Sequence, residues 1–367
     1  MTKVNLPLVN PVAQDTGQVS PDWVRISMAS AMALRFRSGR FSREFDFGGI
    51  NLLLNYEDGC RSDCSYCGLA RTRPGSYEDK SFIRVEWPLV STDELVDRMA
   101  RNEDKLTRLC ISMVTNPFAF RDTCDITKRI RAKVKAPLSI LVAPPTLNRA
   151  RIERFHELGV DMIGIGLDAV SEELFEELRT NVPAGGAGLR WSKYWQVIDD
   201  ARDVFGPWKV NCHTLVGIGE TDWDLVDTFI RLRNREIFSY LFAFNAEPDS
   251  RLGEHPKATI SRWRRIQLAK HLVESEGFDW DHFDFDSNGS LVHMRGPEEL
   301  VVTAVESGMP FMTNGCPGEN GEPGCTRPYG SYRPTEQFRD FPFQPTQEDL
   351  VDIRAELALE GIFEKER

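Results

Sequence analysis

At 367 residues, 41% of them apolar and 28% charged, the chain has an ordinary globular composition, and no run of roughly 18 apolar residues marks a membrane span. A net charge of −11 disfavours nonspecific nucleic-acid binding, so small molecules or a protein carrier are the expected partners. The opening MTKVNLPLVNPVAQDTG has no secretory pattern, which points to the cytoplasm and makes the eight cysteines candidates for metal or redox chemistry rather than a disulfide framework.

In chain order, residues 22–38 (DWVRISMASAMALRFRS) predict a leading helix within an N-terminal extension, residues 1–44. FGGINLLLNY then has the continuous apolar character of a buried parallel strand. Ser91, followed by Glu94 and by Leu95, Val96 and Met99 on one face, predicts a capped helix. Strand patterns recur at TRLCISM near 107, PLSILV near 137, DMIGIGL near 161, WKVNCHTLV near 208 and SYLFAF near 239. Between them, Ile152, Phe155 and Leu158 form a helical stripe closed by Gly159. DWDHFDFD near 279 and PFMTN near 310, on either side of the helix EELVVTAVES, are fainter strand signals that would bring the count to eight. The alternation, with right-handed crossovers, predicts an α/β fold: a TIM-type (β/α) barrel, with eight strands or six, over residues 45–315. A C-terminal extension, residues 316–367, follows.

The stretch CRSDCSYCGLA places Cys60, Cys64 and Cys67 within eight positions. Thiolates hold zinc or iron–sulfur clusters, and a closed structural site takes four protein ligands. Here the local count is three, because Cys110 lies over forty residues away on another strand. Three thiolates on a four-iron cluster leave one iron open; a zinc site completed by a distant residue, or three unrelated loop thiols, are the plainer readings. The spacing C-x3-C-x2-C, with Tyr66 just before the last cysteine, resembles the signature of the radical SAM superfamily. That resemblance implies a 4Fe–4S cluster on Cys60, Cys64 and Cys67, whose open iron binds S-adenosylmethionine. It also implies reductive cleavage to a 5′-deoxyadenosyl radical that takes hydrogen from an unactivated C–H bond. Barrel enzymes work at the C-terminal ends of their strands. By the same resemblance Tyr66 belongs to the cofactor site, Ser112 to Thr115 hold the methionine moiety, and Asp168 bonds the ribose. VGIGET would pass beside the adenine with Val216, Gly217, Gly219 and Glu220, although a strand-to-helix turn capped by Thr221 explains its glycines equally well.

Over residues 45–330 the chain is similar to the biotin synthase-like branch, through LCISMVTNP and KVNCHTLVGIGET. Cys110 and Cys212 occupy positions where biotin synthase ligates an auxiliary 2Fe–2S cluster, whereas PLSILVAPPTLN lacks that enzyme's third auxiliary cysteine. NGCPGENGEPGCTRPYGSYRP resembles the C-terminal cysteine pair and Arg-Pro-aromatic of two-component lipoyl synthases, here with eight residues between Cys316 and Cys325. Cys110, Cys212, Cys316 and Cys325 are thereby candidate ligands of a second cluster; incidental thiols in a turn-rich loop, or a zinc clip, are the alternatives. The resemblance implies sulfur insertion at an unactivated C–H of an octanoyl-lysyl carrier domain, with a low-potential electron donor and a paralogous radical SAM subunit as partners. Neither nucleic acid nor membrane is expected. Other readings are sulfur insertion on another substrate, a radical mutase or maturase of the methylornithine synthase or hydrogenase-maturation kind, and a noncatalytic iron–sulfur or zinc scaffold. Glu247 and Asp249 end the sixth strand as candidate substrate contacts, and His213 either lines the pocket or fills its strand. RWSKYW reads as packing before a helix, and Cys124 has no assigned role.

Overall fold

The computed structural model describes residues 17–43, 45–77, 80, 85–182 and 188–357. Strands β1 (Trp23–Ile26), β2 (Gly49–Leu54), β3 (Leu89–Ser91), β4 (Arg108–Ser112), β5 (Leu138–Val142), β6 (Met162–Asp168), β7 (Val210–Val216) and β8 (Phe238–Ala243) form one sheet. Its order is β3-β1-β2-β4-β5-β6-β7-β8. From β2 to β8 every pairing is parallel, while β1 and β3 extend the β2 edge antiparallel. The helices are α1 (Met28–Ala33), α2 (Thr92–Arg101), α3 (Ala119–Arg131), α4 (Arg149–Glu157), α5 (Glu172–Arg179), α6 (Trp191–Phe205), α7 (Asp222–Arg233), α8 (Ile260–Ser275), α9 (Glu298–Ser307) and α10 (Gln347–Leu357). Helices α2 to α7 carry the crossovers between successive parallel strands, which requires apolar residues on both sheet faces. Ile50, Leu52, Ile111, Ile140, Ile163 and Ile165 are accordingly fully buried. Among the described residues no helix is long and apolar enough to cross a membrane.

Three sequence expectations need correction. Residues 22–38 are not one helix: Trp23–Ile26 are a strand, and only Met28–Ala33 are helical, capped by Ser27. Val24 and Ile26 favour the extended form, and burial settles it. Arg25 is buried as well, its guanidinium donating to the carbonyls of Tyr77, Lys80 and Trp87. Secondly, the Ser91 hydroxyl caps nothing, because Ser91 is paired in β3 with Trp23. The predicted apolar face of α2 does bury Leu95, Val96 and Met99.

The third correction concerns the two faint strands, which do not join the main sheet. DWDHFDFD supplies β9 (Phe283–Phe285), which pairs with β10 (Leu291–Met294) in a separate two-stranded sheet. PFMTN forms a single turn of 3-10 helix at Met309–Phe311, where Pro310 lacks a ladder donor, and then one bridge from Met312 to Phe341. Among the described residues the main sheet therefore has six parallel strands, the smaller of the two expected counts. The outer edge of β8 is covered by side chains instead: the Ser239 amide donates to Glu274 of α8, and the Ala243 amide to the Ser331 hydroxyl. The chain after α9 returns along that edge. Trp263 and Arg264 of α8 donate to the Arg339 carbonyl, Arg264 pairs with Glu356, and Leu350, Ile353 and Leu357 of α10 join the same core.

Candidate active site

The loop after β2 carries the three clustered cysteines and is tied to three parts of the barrel rim. The Arg61 amide donates to the Thr115 carbonyl beyond β4, the Ser65 amide to Leu178 of α5, and the Leu252 amide beyond β8 to the Ser65 carbonyl. Asp63 anchors the interior of the loop. Its carboxylate accepts from the Thr72 amide at 2.9 Å, the Thr72 hydroxyl at 2.7 Å and the Arg251 guanidinium. Burial opposes its charge, but those hydrogen bonds outweigh burial and hold the acid below its usual range. A carboxylate with a depressed native pKa stabilises the loop above the ordinary aspartate value, and that stabilisation disappears as pH falls through it, below about 4. Asp63→Asn is expected to lower iron uptake on reconstitution at neutral pH and to flatten the acid-side loss of iron. The same acid profile in both proteins would show that Asp63 does not hold the loop.

Cys60, Cys64 and Cys67 line one cavity of about 240 Å³ at the C-terminal ends of the parallel strands. Burial raises the Cys60 thiol, and burial together with Cys64 and Cys60 raises Cys67 well above its usual range. Three thiols gathered on one loop form a seat suited to a cationic centre. Among the described residues no three His, Cys, Asp or Glu side chains stand close enough to share a single metal ion. Three local thiolates are one short of a closed zinc site and match the protein ligands of a four-iron cluster with one open iron.

Ser112, Thr115 and Asp168 line the same cavity. Asp168 ends β6 with a φ of 60° and accepts from the Tyr66 hydroxyl at 2.6 Å. Burial keeps that hydroxyl protonated, so Tyr66 is the donor and ties the cysteine loop to β6. Arg179, at the end of α5, lies 3.6 Å from the Asp168 carboxylate. It is buried, donates to the Gly166 and Leu167 carbonyls and the Tyr194 hydroxyl, and leaves its Nε unpartnered. Sequence reading missed Arg179 because a basic residue in a last helical turn ordinarily complements the helix dipole in solvent. Tyr194 was hidden in RWSKYW: Trp191 and Trp195 do pack edge to face, while Tyr194 between them lines the cavity. A charge-assisted hydrogen bond from ribose to Asp168 is worth about 1.5–3 kcal/mol. Asp168→Ala is therefore expected to weaken S-adenosylmethionine about ten- to a hundredfold by equilibrium dialysis. An unchanged dissociation constant would remove Asp168 from the cofactor site.

The VGIGET loop behaves differently. None of Val216, Gly217, Gly219 or Glu220 lines the cavity; His213 and Leu215 of the same strand do. Glu220 folds back to accept from the Gly217 and Ile218 amides at 2.8 and 2.9 Å, and pairs with Arg262 of α8. Gly217 has a φ of 105°, and a Cβ there would stand 3.1 Å from the Ala258 amide nitrogen. These residues shape a strand-to-helix turn, with Thr221 and Asp224 forming the capping box. Glu247 and Asn245 line the cavity beyond β8. His213 rests 4.8 Å from the Phe242 ring, and burial and Arg327 hold it well below its usual pKa, hence neutral.

Of the four candidate auxiliary cysteines, three converge and one does not. Cys316 and Cys325 face each other across a backbone hydrogen bond of 3.0 Å and reach the interior between β2, β4 and β7. Asn51 Nδ2 lies 3.6 Å from Cys325 Sγ, Asn211 Nδ2 lies 3.4 Å from Cys316 Sγ, and Ser139 bonds both Cys110 and Cys316. Burial and the Cys316 thiol push Cys110 up to about 11, and burial with Cys110 and Cys316 pushes Cys325 up to about 12. Cys212, by contrast, is turned to the helical layer, where Asp199 and Arg235 are its charged neighbours. Strand alternation requires this: Asn211 and His213 face inward, so the residue between them faces out.

Residues 54–232, just under half of the chain, match the Radical SAM superfamily. That family implies a 4Fe–4S cluster and S-adenosylmethionine. Similar solved structures include methylornithine synthase (12% identity, TM-score 0.46, covering 67% of this chain and 66% of that one). Another is the FeFe-hydrogenase maturase HydG from Carboxydothermus hydrogenoformans (16%, 0.46, 91% and 70%). A third is the radical S-adenosylmethionine methyltransferase TsrM from Kitasatospora setae with tryptophan substrate (14%, 0.39, 76% and 47%). The chain spans just under two thirds of the methylornithine synthase and about half of a further HydG structure. No curated protein matches it.

Proposed function

We propose that the protein is a radical SAM sulfur-inserting enzyme, a lipoyl synthase component acting on an octanoyl-lysyl carrier domain. The observation that carries this reading is the convergence of Cys110, Cys316 and Cys325 inside the barrel, one layer beneath the cavity lined by Cys60, Cys64 and Cys67. When bound, the cluster and S-adenosylmethionine supply an acceptor for a hydrogen atom from an unactivated C–H bond, and a second cluster supplies the sulfur that takes its place. The chain's own residues place and isolate the reactants. Cys60, Cys64 and Cys67 would hold the first cluster; Asp168, positioned by Tyr66 and Arg179, would accept from the ribose, and Ser112 and Thr115, which line the same cavity, would contact the methionine moiety. Leu53, Leu141, Leu215 and Phe244 keep water from the reacting carbon. Cys110, Cys316 and Cys325 would hold the second cluster, with the Asn51 and Asn211 amides donating to Cys325 and Cys316.

The test is mass spectrometry of an octanoyl-lysyl peptide incubated anaerobically with reconstituted protein, reductant and S-adenosylmethionine. Sulfur added to the acyl chain supports the reading. Cofactor cleavage with rearranged or merely oxidised product would support a mutase or maturase instead.

A further inference from the structure

Two rows of side chains project into the barrel. The upper row, which lines the cavity, includes Leu53, Ser112, Leu141, His213 and Phe242. The lower row, which meets Cys316 and Cys325, holds Asn51, Cys110, Ser139, Asn211 and Tyr240. On each strand the upper residue follows the lower by two positions, a rise of about 7 Å. The rows are not sealed from one another. Cys110 and Asn51 remain partly exposed in mid-strand, as do Ser112, Leu141, His213 and Phe242 above them. Beneath, Arg108, Met162, Cys316 and Tyr240 are all buried, and Arg108 is fixed to Asp161 and the Pro317 carbonyl. Cys110 thus lies between this buried floor and Ser112, which lines the cavity above it.

We propose that this lumen receives the end of an unbranched saturated carbon chain and that the rings of His213 and Phe242 gauge its length. Leu53, Leu141 and Leu215 complete an apolar stretch of the wall beside the two rings, suited to a saturated chain, with the Asp168 carboxylate bounding it on the β6 side. The gauge is rigid. Phe242 is held by His213 at 4.8 Å and by the Arg327 guanidinium at 3.8 Å from its centroid, and Arg327 is tied to the Asn314 carbonyl. A chain too long is stopped against the two rings, and one too short leaves its reacting carbon out of reach of the thiols below. The inference rests on the sulfur-insertion reading and adds the residues that set chain length.

Full-length reconstituted protein is to be assayed with hexanoyl-, octanoyl- and decanoyl-lysyl peptides, measuring thiolated product and the dissociation constant of each peptide. Wild type is expected to favour one length about tenfold or more over its neighbours, in line with the discrimination available per methylene. His213→Ala should move the optimum to the next longer peptide, in dissociation constant and in KM; Phe242→Leu, made separately, should do the same. A merely structural role would lower all three alike. Product with the wild-type length ratio in both variants overturns the gauge and leaves sulfur insertion standing. No thiolated product from any peptide with wild type overturns both.

Discussion

Cys64→Ala is expected to form no 5′-deoxyadenosine above the protein-free background, the largest single loss in the molecule. Cys64 is buried between Cys60 and Cys67 on one loop, and all three line the cavity. Removing it leaves two thiolates, too few to hold a cluster at three corners. The loop itself should persist, because its anchors are the Ser65 amide to Leu178, Asp63 to Thr72 and Arg251, and Arg61 to Thr115, none of which uses the thiol. A melting temperature near that of wild-type apoprotein, with cofactor cleavage abolished, separates lost chemistry from lost fold. Cleavage at the wild-type rate would contradict the assignment of the three thiols.

The second large effect belongs to the tail. Protein isolated without oxygen is expected to hold about eight irons, as two four-iron clusters require, and the Cys316→Ala, Cys325→Ala double variant about four. That variant should still cleave S-adenosylmethionine, since neither cysteine lines the upper cavity, yet add no sulfur to an octanoyl-lysyl peptide. Cys212→Ala is the control: its thiol faces Asp199 and Arg235 in the helical layer, so iron content should not change. Four irons in wild type, or normal thiolation by the double variant, would remove the second cluster and favour a mutase.

The cysteine loop and Asp168 were legible in the sequence because their information is local: a fixed spacing on one loop, and an acid at a strand end. The six parallel strands were legible for a related reason, as a strand buried on both faces reads as an unbroken apolar run. That same lack of alternation concealed which face of KVNCHTLV turns inward, so Cys212 and His213 looked equally available, and only register separates them. Arg179 and Tyr194 were invisible because each owes its place to tertiary contacts, Arg179 donating to the Gly166 and Leu167 carbonyls of β6 and to the Tyr194 hydroxyl. Residues 22–38 combine helix-forming alanines with Val24 and Ile26, and the choice between helix and strand was made by a partner, β2, more than twenty residues away. The faint strands did not join the main sheet because side chains of α8 and the tail had already taken the β8 edge.

The most direct measurement is a single turnover with protein whose clusters are rebuilt using isotopically heavy sulfide, followed by mass spectrometry of the octanoyl-lysyl product. Heavy sulfur in the acyl chain, matched by a loss from the protein and absent with the Cys316→Ala, Cys325→Ala variant, is the predicted result. 5′-Deoxyadenosine formed in full yield while the acyl chain gains no sulfur, heavy or light, would contradict it.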